Sequence, residues 1–236
     1  GPQSFGSPRD LISQEANRIL FVSQAIDLNA WSDCFRAWPN PPKDWASWYH
    51  RVAQEYSSHW QEIGIADALS LTLSSLEKDE NLLRTIPYFW SDAINCFLFG
   101  HGPMTLTLLD VVMITGLDIS SPCPSAFSTS VSPYVLSSKG SITNWTAYLG
   151  QHCKSGGPVD EKEHTAFLNM WLELFLFCGP SLAPTRNYIS LAYDLAAGEK
   201  VGLGKLFLGE VYRLLHLSVS GLLGGKKPRT GGPWWF

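Results

Sequence analysis

Residues 102–117 read GPMTLTLLDVVMITGL, and this stretch marks both ends of one short helix. Thr107 is a favourable N-cap residue, and Asp110 lies three positions later, where its carboxylate reaches the free backbone N–H groups of the first turn. Gly116 suits the left-handed position that ends a helix. The helix predicted between them has one face shared by four side chains, namely Leu108, Val111, Val112 and Thr115.

Composition points to a folded domain. The chain has 236 residues, of which 45% are hydrophobic and only 16% are charged. These values are typical of a globular protein with a sizeable core. The net charge of −4 argues against a broad nucleic-acid-binding face, because such faces are basic. The five cysteines are widely spaced without a C-x-x-C pair, so we expect no disulfide framework and favour a reducing compartment.

The spacing of apolar residues predicts a mainly α-helical fold. Helices are predicted over 8–27, 44–63, 65–76, 79–86, 142–153, 160–177, 186–197 and 203–219. Strand-like residues followed by a glycine-proline turn predict a small β-hairpin near residues 95–106. Serines and prolines predict a long surface loop over about 118–141, and glycines predict a flexible segment over 221–232.

Two of these helices are expected to organise the core of one compact multi-helix domain, residues 8–236. The helix over 44–63 has an aromatic face formed by Trp45, Trp48, Tyr49, Val52, Tyr56 and Trp60. The helix over 160–177 is apolar nearly all round, so it is predicted to be buried. Residues 1–7 are expected to be a flexible remnant of protease cleavage, and residues 233–236 to begin an apolar element that the chain cuts short.

Several separated blocks, in order over about residues 30–236, resemble the plant mobile domain family. This plant-specific module occurs in transposable elements and in host genes derived from them. The residues that carry the resemblance are Trp45, Trp48, Gly64, Thr105, Thr107, Asp110, Gly116, His164, Phe167, Trp171, Gly198, Tyr212, Arg213, Trp234 and Trp235. The turn at 100–105 departs from the family's usual P/C-G-E-x-T because it lacks the acidic residue, so no role of that acid transfers.

The resemblance implies a non-catalytic protein-interaction or scaffold domain of transposable-element origin, with structural or interaction roles for those residues. It also implies nuclear host forms that act in transposon silencing, genome integrity and meristem maintenance. The candidate partner that it implies is a PP7-type protein phosphatase. Binding would use aromatic and arginine anchors on a partner surface, and the alternative for each tryptophan is packing in the core.

A second hypothesis is a nucleic-acid-binding module of a mobile element. The only dense basic run contains Lys226, Lys227 and Arg229. Four residues, 226–229, in a glycine-rich stretch are weak evidence of such a role, and a plain solvated loop explains them better. We therefore favour a protein partner, and we expect no membrane association because the apolar runs are far shorter than the ~20 residues of a span.

An enzyme is the third hypothesis, because the family also carries an "aminotransferase-like" label. A pyridoxal-phosphate enzyme needs a Schiff-base lysine, but none of the candidates follows a buried strand: Lys139, Lys154, Lys200 and Lys205. A nuclease needs clustered carboxylates, but no βαβ pattern frames Asp92, Asp110 and Glu210. The spacing of His152, Cys153 and His164 fits no standard metal site and suggests a surface pair. We expect no catalytic residues, cofactor or metal.

Overall fold

The computed structural model describes residues 7–24, 26–123, 134, 136, 142–228 and 230–236. Over these residues the fold is mainly α-helical with one small sheet, as predicted. The α-helices are α1 (Pro8–Ala16), α2 (Leu20–Ser23), α3 (Trp45–Glu62), α4 (Ala66–Ser70), α5 (Glu80–Thr85), α6 (Leu108–Thr115), α7 (Trp145–His152), α8 (Glu161–Met170), α9 (Ile189–Ala196) and α10 (Leu203–Leu223). The strands are β1 (Trp90–Ser91), β2 (Cys96–Phe99) and β3 (Gly102–Met104).

Helices α3 and α8 meet in the core, which confirms the aromatic helix predicted over 44–63. The indole of Trp45 stacks on the ring of Phe167 with centroids 4.8 Å apart, and Trp60 stacks on the same ring at 5.4 Å. All three side chains are buried. Because aromatic side chains remove large apolar areas from water, this stack stabilises the contact between the two helices.

The helix predicted over 160–177 is buried as expected but is not a single α-helix. After α8 the chain continues as a π-helix, Trp171–Leu176. The backbone N–H of Phe177 donates to the carbonyl of Leu172, five residues earlier, at 2.9 Å. This wider turn ends at Cys178, whose φ is +45°. A hydrophobicity pattern predicts burial here but does not distinguish a π turn from an α turn.

The predicted hairpin is confirmed as β2 and β3, which pair antiparallel with Phe97 opposite Met104. The sequence analysis missed a third strand, because β1 has only two residues. It pairs with β2 and places Trp90 opposite Phe97. The sheet therefore leads directly into α6.

The single helix predicted over 8–27 is wrong. α1 ends at Ala16, and Ile19 takes an extended backbone, with ψ at 151°, before α2 begins. This break lets Ile19 pack with Cys96 and Leu98 in a small second cluster of buried side chains. A contact with the sheet thus overrides local helical propensity.

The flexible segment predicted over 221–232 is also wrong in part. α10 continues to Leu223, and the backbone N–H of Lys226 donates to the carbonyl of Gly221 at 2.8 Å. The N–H of Gly232 donates to the carbonyl of Cys178 at 2.6 Å. Trp234 packs edge-to-face on Trp31, so the last residues form a turn on the core.

Helices α4, α7 and α9 are shorter than the predictions over 65–76, 142–153 and 186–197. α10 is long and apolar enough by composition to span a membrane, but its inner side chains, Phe207 and Val211 among them, belong to the main core. Most of the loop predicted over 118–141 lies outside the described residues. The single domain over 8–236 stays a prediction.

Candidate interaction surface

α6 begins with the predicted capping box. The backbone N–H of Thr107 donates to Oδ2 of Asp110 at 2.7 Å, and the backbone N–H of Asp110 donates to Oγ1 of Thr107 at 3.3 Å. Hydrogen bonds from the Thr107 hydroxyl, and then from its backbone, lower the pKa of Asp110. The ionised carboxylate also faces the positive end of the helix, so the first turn of α6 is fixed.

Thr105 and Tyr212 hold the turn that precedes α6. The hydroxyl of Thr105 donates to the carbonyl of Asn95 at 2.6 Å, and the hydroxyl of Tyr212 donates to the carbonyl of Leu106 at 2.5 Å. The two hydroxyl oxygens lie 3.0 Å apart. Because Tyr212 belongs to α10, these bonds join the hairpin, the start of α6 and the longest helix.

The other end of α6 is held by close backbone packing. Gly116 has φ at +66°, and a Cβ built there would lie 2.7 Å from Cβ of Asp67. At Gly204 of α10, a Cβ would lie 3.3 Å from Cγ1 of Val111. Gly64, with φ at +73°, faces Asp118 in the same region. Glycine at these positions lets α4, α6 and α10 approach one another closely.

Held in this way, α6 presents an apolar face to the outside. Leu109 is 68% exposed, Met113 is 76% exposed and Ile114 is 51% exposed. Val111 and Thr115, on the opposite face, are buried as the sequence predicts. Residues 109 and 113 are one helical turn apart and so lie side by side. We call Leu109, Met113 and Ile114 the outer face of α6.

Carboxylates flank the C-terminal end of this face. Asp67 is exposed and touches the Gly116 position, and Asp118 follows two residues after Gly116. Partial burial raises the pKa of Asp118, but hydrogen bonds from Ser120 and Ser121 outweigh it and lower the pKa to about 2. Among the described residues, neither carboxylate forms an ion pair. The ammonium of Lys205 lies nearby, 3.0 Å from the carbonyl oxygen of Ser121, so the described residues place two carboxylates and one cation at this end of α6.

The tryptophans do not form the anchors that the sequence analysis considered on a partner surface. Trp45, Trp48 and Trp171 are at most 1% exposed. Trp234 is also buried, and the partly buried Trp235 donates its indole N–H to the carbonyl of Leu176 at 3.1 Å. The aromatic stripe follows the buried side of its helix, so these side chains stabilise the core.

A buried ion pair joins α3 to α8, and sequence reasoning missed it. Nε of Arg51 donates to Oε1 of Glu163 at 2.9 Å, and Nη2 donates to Oε2 at 3.1 Å. The indole N–H of Trp48 donates to the same Oε1 at 3.2 Å. The Glu163 side chain is fully buried. Arg51 and Trp48 lie over 100 positions away from Glu163 in sequence, so no local pattern reveals these contacts.

His164 lies in the core beside this pair. The indole N–H of Trp60 donates to its Nε2 at 3.0 Å, and the ring of Tyr56 stacks on it at 3.8 Å. Burial lowers the pKa of His164 to about 3. The surface pair suggested for His152 and Cys153 is wrong, because the His152 side chain is buried too.

Other residues of the resemblance have local roles. Gly198 closes α9 with φ at +92°, and a Cβ there would approach Cε1 of His59 at 3.5 Å. Arg213 is exposed and pairs with Glu210 at 2.5 Å. Lys226 and Lys227 are exposed just beyond α10, where cations favour the negative helix end. Arg229 lies outside the described residues.

Several of the side chains considered for catalysis have structural partners. Asp110 caps α6, Glu210 pairs with Arg213, and Asp92 lies 3.6 Å from Nδ1 of His216. Nζ of Lys205 donates to the carbonyl of Ser121, and Lys139 falls outside the described residues. Within the part of the chain that the structure describes, no three His, Cys, Asp or Glu side chains are grouped to hold a metal ion.

Comparison with known proteins places this geometry in a family. The family model of the plant mobile domain matches residues 64–222, which is more than half of the chain and includes α6, α8 and α10. Neither a curated protein nor a solved structure matches the chain. The capping box of α6, its Gly116 end and the Tyr212 contact all fall inside the matched range. The chain therefore belongs to the plant mobile domain family, a family of transposon-derived domains.

Proposed function

We propose that this chain is a non-catalytic protein-interaction domain and that the outer face of α6 is its docking surface. The observation that carries the proposal is the exposure of three large apolar side chains on a helix held at both ends. Exposed apolar groups that cluster on one element are typical of binding surfaces. A rigid surface also binds with a smaller entropy cost than a flexible one.

The proposed setting follows from the family. We propose that the domain acts in the nucleus, in silencing of transposable elements, genome integrity and meristem maintenance. A PP7-type protein phosphatase is the candidate partner. A domain that recruits such a partner needs no catalytic group of its own, and two of the residues considered for catalysis, Asp110 and Glu210, have structural partners instead.

The test is affinity capture from plant nuclear extract with quantitative mass spectrometry, with and without nuclease. The bait is compared with Met113→Lys, which places a charge on the outer face of α6, and with Leu182→Lys. Leu182 is 58% exposed and lies in the loop after the π-helix, so it is a matched control. We expect a nuclease-resistant partner that Met113→Lys loses and Leu182→Lys retains.

Two results would overturn the proposal. A partner that both variants retain would place the docking surface elsewhere on the domain. Recovery of nuclease-sensitive proteins alone would favour nucleic-acid binding, with Lys226 and Lys227 as the first residues to replace.

A further inference from the structure

We infer that the segment that binds the outer face of α6 is an amphipathic helix with apolar side chains on one face and lysine or arginine at its end. This inference rests on the proposed function, because it names the partner chemistry of the same surface.

The apolar part of the surface is small and carries no charge of its own. α6 has eight residues, so it is about 12 Å long at 1.5 Å per residue. Leu109 and Met113 form one exposed row along it, beside Ile114. Two or three apolar side chains at i, i+3 or i+4 spacing on a partner helix cover a row of this length.

Three sources of negative charge lie at the C-terminal end of the face, against one described cation, Lys205, which bonds to the carbonyl of Ser121. The last carbonyls of α6 give that end a partial negative charge. Asp118 has a pKa near 2, so it is ionised at neutral pH. Asp67 is exposed, and its carboxylate accepts no hydrogen bond from a described residue.

Asp67 is the most informative of the flanking acids, because the other carboxylates accept hydrogen bonds within the fold. Asp110 caps α6, and Asp118 accepts hydrogen bonds from Ser120 and Ser121. Asp67 lies against Gly116 instead, less than one helical turn beyond Met113. A cation on the partner at this position gains an uncompensated carboxylate next to the apolar contact.

The same charges argue against other occupants. A second copy bound through a two-fold axis presents this same patch, so its acids supply no cation to Asp67 and Asp118. A partner without complementary charge gains less from electrostatics at this surface. Nucleic acid and anionic lipid are disfavoured for the same reason, whereas a basic end on a partner helix complements the surface.

The test selects helical peptides from a displayed library against the full chain. The library has a fixed apolar row and random flanks, and binders retained by Met113→Lys are removed. We expect lysine and arginine to be enriched at one flank. The selected peptides should bind Asp67→Asn and Asp118→Asn each about two- to fivefold more weakly, in line with partly exposed ion pairs. Their affinity should also fall as salt is raised.

The outcomes separate the two proposals. Selected peptides with neutral or acidic flanks, or with unchanged affinity for both Asp→Asn variants, would overturn the basic-partner inference alone. Failure to select any peptide that depends on Met113 would contradict the docking surface itself. A concentration-dependent dimer that Met113→Lys abolishes, measured by light scattering, would show that a second copy occupies the face.

Discussion

The hydroxyl of Tyr212 lies 2.5 Å from the backbone carbonyl of Leu106, where the chain enters α6. Tyr212 belongs to the longest helix, and Leu106 belongs to the turn after the hairpin. One hydrogen bond thus connects two parts of the fold that are far apart in sequence. It also holds the turn that precedes α6.

We predict that Tyr212→Phe lowers the free energy of unfolding by about 1–2 kcal/mol, because it removes a hydrogen bond and leaves the Leu106 carbonyl without its partner. Tyr49→Phe is the matched control, since the Tyr49 hydroxyl bonds to no described residue. Its effect should be close to zero. Urea unfolding monitored by circular dichroism measures both. Equal effects would mean that the Tyr212 hydroxyl does not hold the entry of α6.

Two glycine-to-alanine substitutions should change the free energy of unfolding in opposite directions. Gly116→Ala should destabilise the protein by about 1–2 kcal/mol, because φ is positive there and the new methyl group would meet Asp67. Gly209→Ala lies within α10 with nothing inside 4 Å of the new Cβ. It should stabilise the protein by about 0.5–1 kcal/mol. Thermal unfolding distinguishes them, and destabilisation by both would contradict the local geometry.

The two Arg–Glu pairs should differ in their contribution to stability. Glu163→Ala removes the partner of Arg51 and the acceptor of Trp48, so we expect a loss of about 3 kcal/mol or more. Glu210→Ala breaks the pair with the exposed Arg213. That change should cost less than about 1 kcal/mol. Similar losses in chemical denaturation would show that burial does not set the strength of these pairs.

A buried carboxyl makes stability depend on pH. Burial raises the pKa of Glu173 from 4.5 to about 7, although the backbone N–H of Thr185, 2.7 Å from Oε2, opposes the shift. The protonated carboxyl of Glu173 contributes its full stabilisation below about pH 4.5. This contribution is lost as pH rises through 7, because the carboxyl must then ionise in the buried site. His164 acts oppositely, because its lowered pKa costs stability as pH falls below about 6.5 towards 3.

Glu173→Gln should isolate the carboxyl's effect. At pH 8 the variant should be more stable than the parent chain by up to about 3 kcal/mol, because the buried site no longer ionises. Near pH 4.5 the difference should approach zero, since glutamine resembles the protonated acid. Urea unfolding at the two pH values gives the comparison. A difference that does not change with pH would contradict a raised pKa at Glu173.

The ends of α6 could be predicted because their chemistry is local. Thr107, Asp110 and Gly116 lie within ten residues of one another, and cap geometry depends on spacing alone. The bond from Tyr212 to Leu106 and the pair of Arg51 with Glu163 join residues that only the fold brings together. No periodicity in one chain contains that information.

The exposed apolar face of α6 was the harder part to predict. α6 is apolar nearly all round, and the inner residues were placed correctly through Val111 and Thr115. No prediction was made for Leu109 and Met113, and tryptophans were the predicted anchors because such residues often dominate interfaces. Trp45 is buried and so cannot act as an exposed anchor. The sequence signal for an exposed apolar face was the presence of Leu109 and Met113 opposite the predicted inner face of α6.

The most direct test of the central claim is site-specific photocrosslinking from the outer face of α6. Benzoylphenylalanine replaces Met113 in one protein and Leu182 in another, and both are irradiated in plant nuclear extract. We predict one prominent protein adduct from position 113 that position 182 does not form. Excess unlabelled domain should compete this adduct away. Identical adduct patterns from the two positions, or adducts from position 182 alone, would contradict this prediction.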